Sequence, residues 1–268
     1  MATSSSDVEW QEQRALIIGR AYPEPSRKHI ETVCTGAITE DGKVLRLYPI
    51  SLRYLEDEQQ YRLWSWAKFA IKKSSDDQRK ESYRVKEDSI AVLSRIESPE
   101  ERFSLLSKAI VPDRETLDDM YHKDWTSIGV VEIELVKLEV KPAAKEDWET
   151  AKPYVNQARL DVEVKPLEQP PFELRLGFRC KNNRACKGHE SGLIAWEYME
   201  TFRKFKITYG SDSAALAKIT AVRLNFFRSR ELSLNQCDRG KVRFFDFDFF
   251  WRAGERRRCG GPCAVNRQ

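Results

Sequence analysis

Long hydrophobic runs are missing from this sequence of 268 residues. The most apolar segments, residues 15–18 and 244–251, are far shorter than the roughly 20 residues that a membrane-spanning helix requires. The N-terminal residues also lack the basic start and the apolar core of a secretory signal. These absences predict a cytoplasmic protein without a membrane span, in which six cysteines are thiols or metal ligands rather than disulfides.

Motifs of several large enzyme classes are also missing. The sequence contains no glycine-rich phosphate loop, no Gly-x-Ser-x-Gly elbow and no His-Glu-x-x-His motif. Histidine is scarce, and we interpret His29 and His122 as ordinary residues without a catalytic partner. A P-loop nucleotide hydrolase, an α/β-hydrolase and a zinc peptidase are therefore not supported.

Neither sign of charge dominates. The chain has 46 Lys and Arg against 42 Asp and Glu, a net charge of +4. The distribution is uneven, because residues 223–268 contain eleven basic and five acidic side chains. The positive field is therefore expected to be concentrated at the C-terminus.

The pattern of apolar residues indicates an α+β fold. Residues 31–38 and 43–48 are predicted strands around Asp41-Gly42, a dipeptide that supplies the positive φ of a tight hairpin. Residues 87–106 have helical spacing, and residues 131–140 alternate as a half-buried strand. We predict a β-rich, barrel-like module at residues 1–141, a proline-containing connection at 142–171, and a strand, Cys/His knuckle and helix module with a basic tail at 172–268.

A Cys/His cluster is the strongest candidate for chemistry. Cys180, Cys186 and His189 lie between a predicted strand and a predicted helix, with a polar, turn-prone segment between the two cysteines. Zinc takes tetrahedral sulfur and nitrogen ligands, and a strand-end loop can present three of them. We therefore predict a structural zinc site. The alternatives are an iron–sulfur cluster and ordinary buried thiols beside an exposed histidine.

A fourth ligand is missing near this cluster. Cys237, Cys259 and Cys263 are candidates from the C-terminal part of the chain. The last two enclose glycines and a proline in a tight loop with ligand spacing.

Acids alternate with bases in residues 76–82. A carboxylate beside a guanidinium at a sheet edge can act on a phosphodiester or polarise water at a sugar. We predict Asp77 or Glu81 as a catalytic base, with Arg79 and Arg46 on phosphate. The alternative is a solvated charged loop.

Aromatic and basic residues interleave in residues 61–69 and 196–206. Stacking faces beside cations are suited to single strands or flipped bases, although aromatic residues at such spacings also pack cores. The predicted nucleic-acid-binding residues are Lys28, Arg46, Trp64, Trp66 and Arg203.

Several motifs in order resemble a family of uncharacterised bacterial proteins. They are Ala21-Tyr-Pro-Glu-Pro-Ser-Arg-Lys28, Glu31-Thr-Val-Cys-Thr-Gly36, Arg46-Leu-Tyr-Pro49, Asp77-Gln-Arg-Lys-Glu-Ser82, Phe178-Arg-Cys180, Cys186-x-Gly-His189 and Trp196-Glu197. The similarity covers residues 15–210. The family has no assigned activity, and the Arg/Cys-rich tail of this chain departs from its pattern, which weakens the tail cysteines as ligands.

Two functional hypotheses follow. The first is an enzyme acting on nucleic acid, such as a DNA glycosylase or a nuclease directed at foreign or modified DNA, as in antiviral defence. The second is a non-catalytic nucleic-acid-binding protein in which the metal knuckle is structural. An iron–sulfur redox protein is a third option. The predicted partner is nucleic acid, with DNA favoured.

Overall fold

The computed structural model describes residues 9–26, 28–74, 76–143, 167–227, 232–238 and 241–246. It contains an N-terminal β-rich half and a C-terminal half of strands and helices, which confirms the predicted α+β class. Within these residues, no helix has both the length and the apolar character needed to cross a membrane.

The N-terminal half is built from six strands. They are β1 (Gln11–Arg20), β2 (Glu24–Ser26), β3 (Ile30–Ile38), β4 (Val44–Ile50), β5 (Ser65–Lys73) and β6 (Ser82–Arg95). Because β1 pairs with both β5 and β3, the strands β1, β5, β6, β4 and β3 close into a barrel, and β2 extends the edge of β3. The predicted barrel-like module is therefore confirmed.

The strand order of this barrel is informative. Numbered within the barrel alone, the strands follow the cyclic order 1-2-3-5-4, and only strands 3 and 5 run parallel. This is the arrangement of the OB-fold, a five-stranded Greek-key barrel. The long strand β1 permits closure because its first part pairs with β5 and its last part with β3, with a bulge between Ile17 and Gly19.

The hairpin predicted around Asp41-Gly42 is confirmed as β3 and β4. Gly42 has φ +91, and an added Cβ would lie 2.5 Å from the Cβ of Lys108, so this turn requires glycine for both backbone and space.

The helix predicted over residues 87–106 is only partly correct. The strand β6 continues to Arg95, and helix α1 (Pro99–Ser107) begins after the N-cap Ser98, whose side chain accepts a hydrogen bond from the backbone of Glu101. Pairing of β6 with β5 on both sides of two register shifts overrides the local helical spacing.

Within the described residues, the C-terminal half contains a second sheet and three helices. Its elements are β7 (Ile110–Val111), α2 (Arg114–Asp124), β8 (Ile128–Pro142), β9 (Phe172–Cys180), β10 (His189–Leu193), α3 (Trp196–Tyr209), α4 (Asp212–Phe227), β11 (Leu232–Asp238) and β12 (Lys241–Asp246). The strand β8, which the sequence-based division included in residues 1–141, pairs with β9 and with β11 in this sheet. Residues 144–166 of the predicted connection lie outside the described residues.

The two halves meet where β1 ends and α3 begins. Ala21 forms an isolated antiparallel bridge with Ala195, and the backbone N–H of Tyr22 donates to the carbonyl of Ile194 at 2.7 Å. This junction positions the last residue of β1 against the first turn of α3.

Candidate metal centre and basic cleft

The three predicted metal ligands converge. β9 ends at Cys180, β10 begins at His189, and the turn between them brings in Cys186 through its backbone hydrogen bond to Asn183 at 3.0 Å. Gly188 has φ +98, a backbone conformation that favours glycine. The ligand atoms of the two cysteines and the histidine all lie within 4.8 Å of one another, so this group could hold a metal ion.

Each of the two sulfurs accepts a hydrogen bond from a backbone N–H. The Arg114 backbone N–H donates to Cys180 Sγ at 3.4 Å, and the Cys180 N–H donates to Cys186 Sγ at 3.3 Å. Burial raises the pKa of Cys180 to about 12. A positive ion at the site would be needed to hold that sulfur as a thiolate at neutral pH.

Helix α2 lies against the cluster. Its N-cap Asp113 accepts a hydrogen bond from Asn183 Nδ2 at 2.9 Å, which ties the helix to the knuckle turn. In the first turn of the helix, Glu115 Oε1 lies 3.4 Å from His189 Nε2. The fourth metal ligands predicted from the sequence were Cys237, Cys259 and Cys263. The side chain of Cys237 lies outside the described residues, as do Cys259 and Cys263.

The predicted catalytic residues Asp77 and Arg79 lie in the β5–β6 connection and meet Arg46 of β4. Asp77 accepts hydrogen bonds from Arg46 Nη1 at 2.9 Å, Arg79 Nε at 2.9 Å and Ser82 Oγ at 2.7 Å. Burial disfavours the charged form of Asp77, but the hydrogen bonds from Arg79 and Ser82 outweigh it and lower its pKa to about 2. A carboxylate with so low a pKa is a weak general base at neutral pH.

Glu81 is directed elsewhere. It is 5% exposed, and its Oε1 accepts hydrogen bonds from both the backbone N–H and the hydroxyl of Ser127, immediately before β8. Glu81 thus joins the barrel to the second sheet. The catalytic role of Asp77, Glu81 and Arg79 stays a prediction.

The predicted binding residues occupy several environments. Trp64 and Trp66 are 1% and 6% exposed, and they pack in the barrel core beneath the guanidinium groups of Arg102 and Arg14. Lys28 is exposed in the turn between β2 and β3. These tryptophans illustrate the alternative in which interleaved aromatic residues build a core.

Arg203 lies on α3, where it donates to Tyr22 Oη and Glu168 Oε2, each at 3.0 Å, and also pairs with Glu200. Arg203 lines a small cavity. This cavity adjoins a larger one, and both are lined by Arg53, Trp196 and Glu200.

This larger cavity is a cleft of about 780 Å³ between one end of the barrel and α3. It is lined by Arg20, Leu52, Arg53, Asp57, Gln60, Tyr61, Arg62, Leu63, Arg95, Trp196, Glu197, Glu200 and Lys204. Five of these side chains are basic and three are acidic, so the cleft carries an excess of positive charge. We name it the basic cleft.

Two buried ion pairs form its floor. Arg20 donates from Nε and Nη2 to Glu197 Oε1 at 2.9 and 2.6 Å, and Arg53 Nε donates to both carboxylate oxygens of Glu31 at 2.8 and 3.0 Å. The Arg20 guanidinium also stacks over the Trp196 ring, 5.2 Å from its centroid. Charge-assisted, multidentate contacts of this kind fix the side chains that face the cleft.

The rim differs from the floor. Arg62 and Lys204 are exposed, and neither side chain has a hydrogen bond or ion pair within the described part of the chain. The predicted aromatic-basic segments 61–69 and 196–206 contain both cations, but the predicted binding residues did not include them. Their meeting in one cleft was missed because Arg62 belongs to the barrel and Lys204 to a helix of the other half. The motif Trp196-Glu197 was a signal, but nothing local indicated its partner Arg20.

The matches to known families fall separately on the N-terminal and C-terminal halves of the chain. Residues 11–108 match a family model described as a domain of unknown function (DUF8758), and residues 114–243 match a second domain of unknown function (DUF8757). Two domain families of unknown function cover the chain. The interval between them, residues 109–113, includes β7, the edge strand of the second sheet. No curated protein matches the sequence.

Proposed function

We propose that this protein binds single-stranded nucleic acid in the basic cleft and that a zinc ion holds the C-terminal half together. The observation that carries the first part is the occurrence, in one cleft, of two exposed cations that have no partner among the described residues and a tryptophan stacked against an arginine. Proteins that bind single strands combine cations along the backbone with aromatic faces for the bases.

The distribution of charge favours a phosphate backbone along the rim. On the floor, Glu197 and Glu31 already neutralise Arg20 and Arg53. The remaining charged side chains of the lining are three basic and two acidic, namely Arg62, Arg95, Lys204, Asp57 and Glu200. Among them, Arg62 and Lys204 are exposed cations with no ion pair within the described residues. Phosphates would contact these two side chains, and bases would face the floor with Trp196.

The barrel architecture supports the same class of ligand by analogy. OB-folds commonly bind oligonucleotides and oligosaccharides, although a shared fold alone does not establish a shared function. The cleft begins at Arg20, where β1 enters the first inter-strand connection of the barrel.

The geometry favours binding over catalysis by the predicted acids. Asp77 is held ionised in a cluster of donors, and Glu81 is buried against Ser127. Both carboxylates therefore act as structural anchors in this proposal, and a DNA glycosylase or nuclease activity would need other groups.

Zinc is the proposed metal because of the donor set. Two cysteine sulfurs and one imidazole nitrogen suit zinc and exclude the hard cations that prefer oxygen. A buried cysteine at the end of a strand favours a structural site over a reactive one.

Fluorescence anisotropy with a labelled single strand of DNA, the same RNA sequence and the corresponding duplex tests the proposal. We expect tighter binding to the single strands, with affinity falling steeply between about 50 and 200 mM salt. Equal affinity for the duplex, or binding without salt dependence, would contradict the assignment of the cleft.

A further inference from the structure

We infer that Glu115 is the fourth ligand of the metal site, which completes a set of two sulfurs, one nitrogen and one carboxylate oxygen. The inference rests on the metal-binding part of the proposed function. Glu115 lies on α2, far from the knuckle in sequence, and is brought to it only by the packing of this helix on the second sheet.

The distance between Glu115 and His189 fits a shared metal ion, and rotation of the Glu115 side chain would bring its carboxylate towards the sulfurs of the Cys180, Cys186 and His189 group. Zinc bonds of about 2.0–2.1 Å to nitrogen and 2.0–2.2 Å to oxygen, at the tetrahedral angle, separate the two ligand atoms by about 3.4 Å. The separation of Glu115 Oε1 and His189 Nε2 is 3.4 Å. Cys186 Sγ lies 3.2 Å from the same nitrogen. A cation bound to His189 Nε2 would attract both the Cys186 sulfur and the Glu115 carboxylate, which flank the same nitrogen.

The helix turn that carries Glu115 also contacts Cys180. The backbone of the preceding residue, Arg114, donates to the Cys180 sulfur at 3.4 Å. The first turn of α2 therefore lies beside the cysteines.

Neighbouring acids on α2 are less suitable. Asp113 is committed as the N-cap, accepting from Thr116 N at 2.7 Å and from Asn183 Nδ2 at 2.9 Å. Asp118 pairs with Arg114 at 2.6 Å. Glu115 is about half exposed, so its carboxylate can adjust by rotation without moving the backbone.

A fourth ligand on α2 gives the metal a defined structural role. The ion would join the first turn of this helix to the ends of β9 and β10, three segments that are separate in the chain. Metal binding would then stabilise the packing of α2 as well as the knuckle.

Cobalt substitution in the full-length protein tests the ligand set. Wild-type protein should give intense visible bands of tetrahedral Co²⁺ with thiolate charge transfer. In Glu115→Gln, the visible bands should change and the affinity for Co²⁺ should fall tenfold or more. In Glu115→Cys, a further thiolate should increase the charge-transfer absorbance. Asp119→Asn, an exposed position on the same helix, is the matched control and should behave as wild type.

Two results would overturn the inference, and they are distinguishable. If wild-type protein binds Co²⁺ and Glu115→Gln shows the same spectrum and affinity, the ligand assignment is wrong and the metal site stands. If wild-type protein takes up neither Co²⁺ nor Zn²⁺ with its thiols reduced, the metal site and its fourth ligand both fail.

Discussion

Arg20 and Glu197 form a buried ion pair between residues 177 positions apart in sequence. The carboxylate is 1% exposed and accepts two hydrogen bonds from the guanidinium, which also donates from Nη1 to the carbonyl of Tyr61 at 2.9 Å. The pair joins the end of β1 to the first turn of α3. It therefore sets both the contact between the halves and the floor of the basic cleft.

Removal of this carboxylate should strongly destabilise the protein. Glu197→Ala leaves the Arg20 guanidinium largely buried without its counter-charge, which costs about 3–5 kcal/mol of the free energy of unfolding. The exposed pair of Glu12 and Lys68 provides the control, because Glu12→Ala should cost at most about 1 kcal/mol. Urea denaturation measures both, and equal losses would show that the buried pair has no special role.

The Asp77 cluster should make stability depend on pH in the acid range. The folded pKa of about 2 is below the ordinary value of 3.8, so the ionised group stabilises the fold above about pH 4. That contribution is lost as the pH falls from about 4 towards 2. Asp77→Asn should therefore be less stable than wild type at neutral pH and show a flatter decline in this window, followed by circular dichroism.

The metal should contribute to folding through its cysteine ligands. A metal concentration a hundredfold above the dissociation constant adds about 2.7 kcal/mol of stability to wild type. Cys186→Ser should lose this gain, together with the bound metal. Cys34→Ser is the matched control, since Cys34 lies on β3, outside the cluster. Elemental analysis and thermal unfolding with and without chelator provide the measurements; retention of full metal by Cys186→Ser would refute the site.

Cations at the rim of the cleft should set the salt dependence of nucleic-acid binding. Loss of one contact between a cation and a phosphate reduces the magnitude of the slope of log affinity against log salt by about 0.7 for a single strand. Arg62→Gln and Lys204→Gln should each show this change and bind more weakly. Lys123→Gln, at an exposed position on α2, should leave the slope unaltered. If all three variants had the same slope as wild type, the nucleic acid would bind outside the basic cleft.

Catalysis through the predicted acids can be tested directly. We expect zinc-loaded wild type and Asp77→Asn to give the same amounts of released base and cleaved strand on single-stranded and duplex DNA. If wild type shows either activity and a folded Asp77→Asn or Glu81→Gln loses it, the acids are catalytic and the structural role proposed for them is wrong.

Local chemistry determined much of this protein from its sequence. The turn at Asp41-Gly42 depends on a backbone preference within a few residues, and the convergence of Cys180, Cys186 and His189 depends on one strand end and one turn. Both could be predicted, because neighbours in the chain supply all the groups that they require. The motif Trp196-Glu197 was also recognised in the sequence, but the ion pair of Glu197 with Arg20 was not predicted.

Only the tertiary structure decided which distant groups meet. Strand pairing extended β6 through residues with helical spacing, and core packing placed Trp64 and Trp66 inside the barrel. The contact of Glu115 with His189 and the pair of Arg20 and Glu197 depend on how α2 and α3 dock. Such contacts leave no periodic trace in a sequence, since they arise from the packing of whole elements whose order along the chain does not reveal their positions in space.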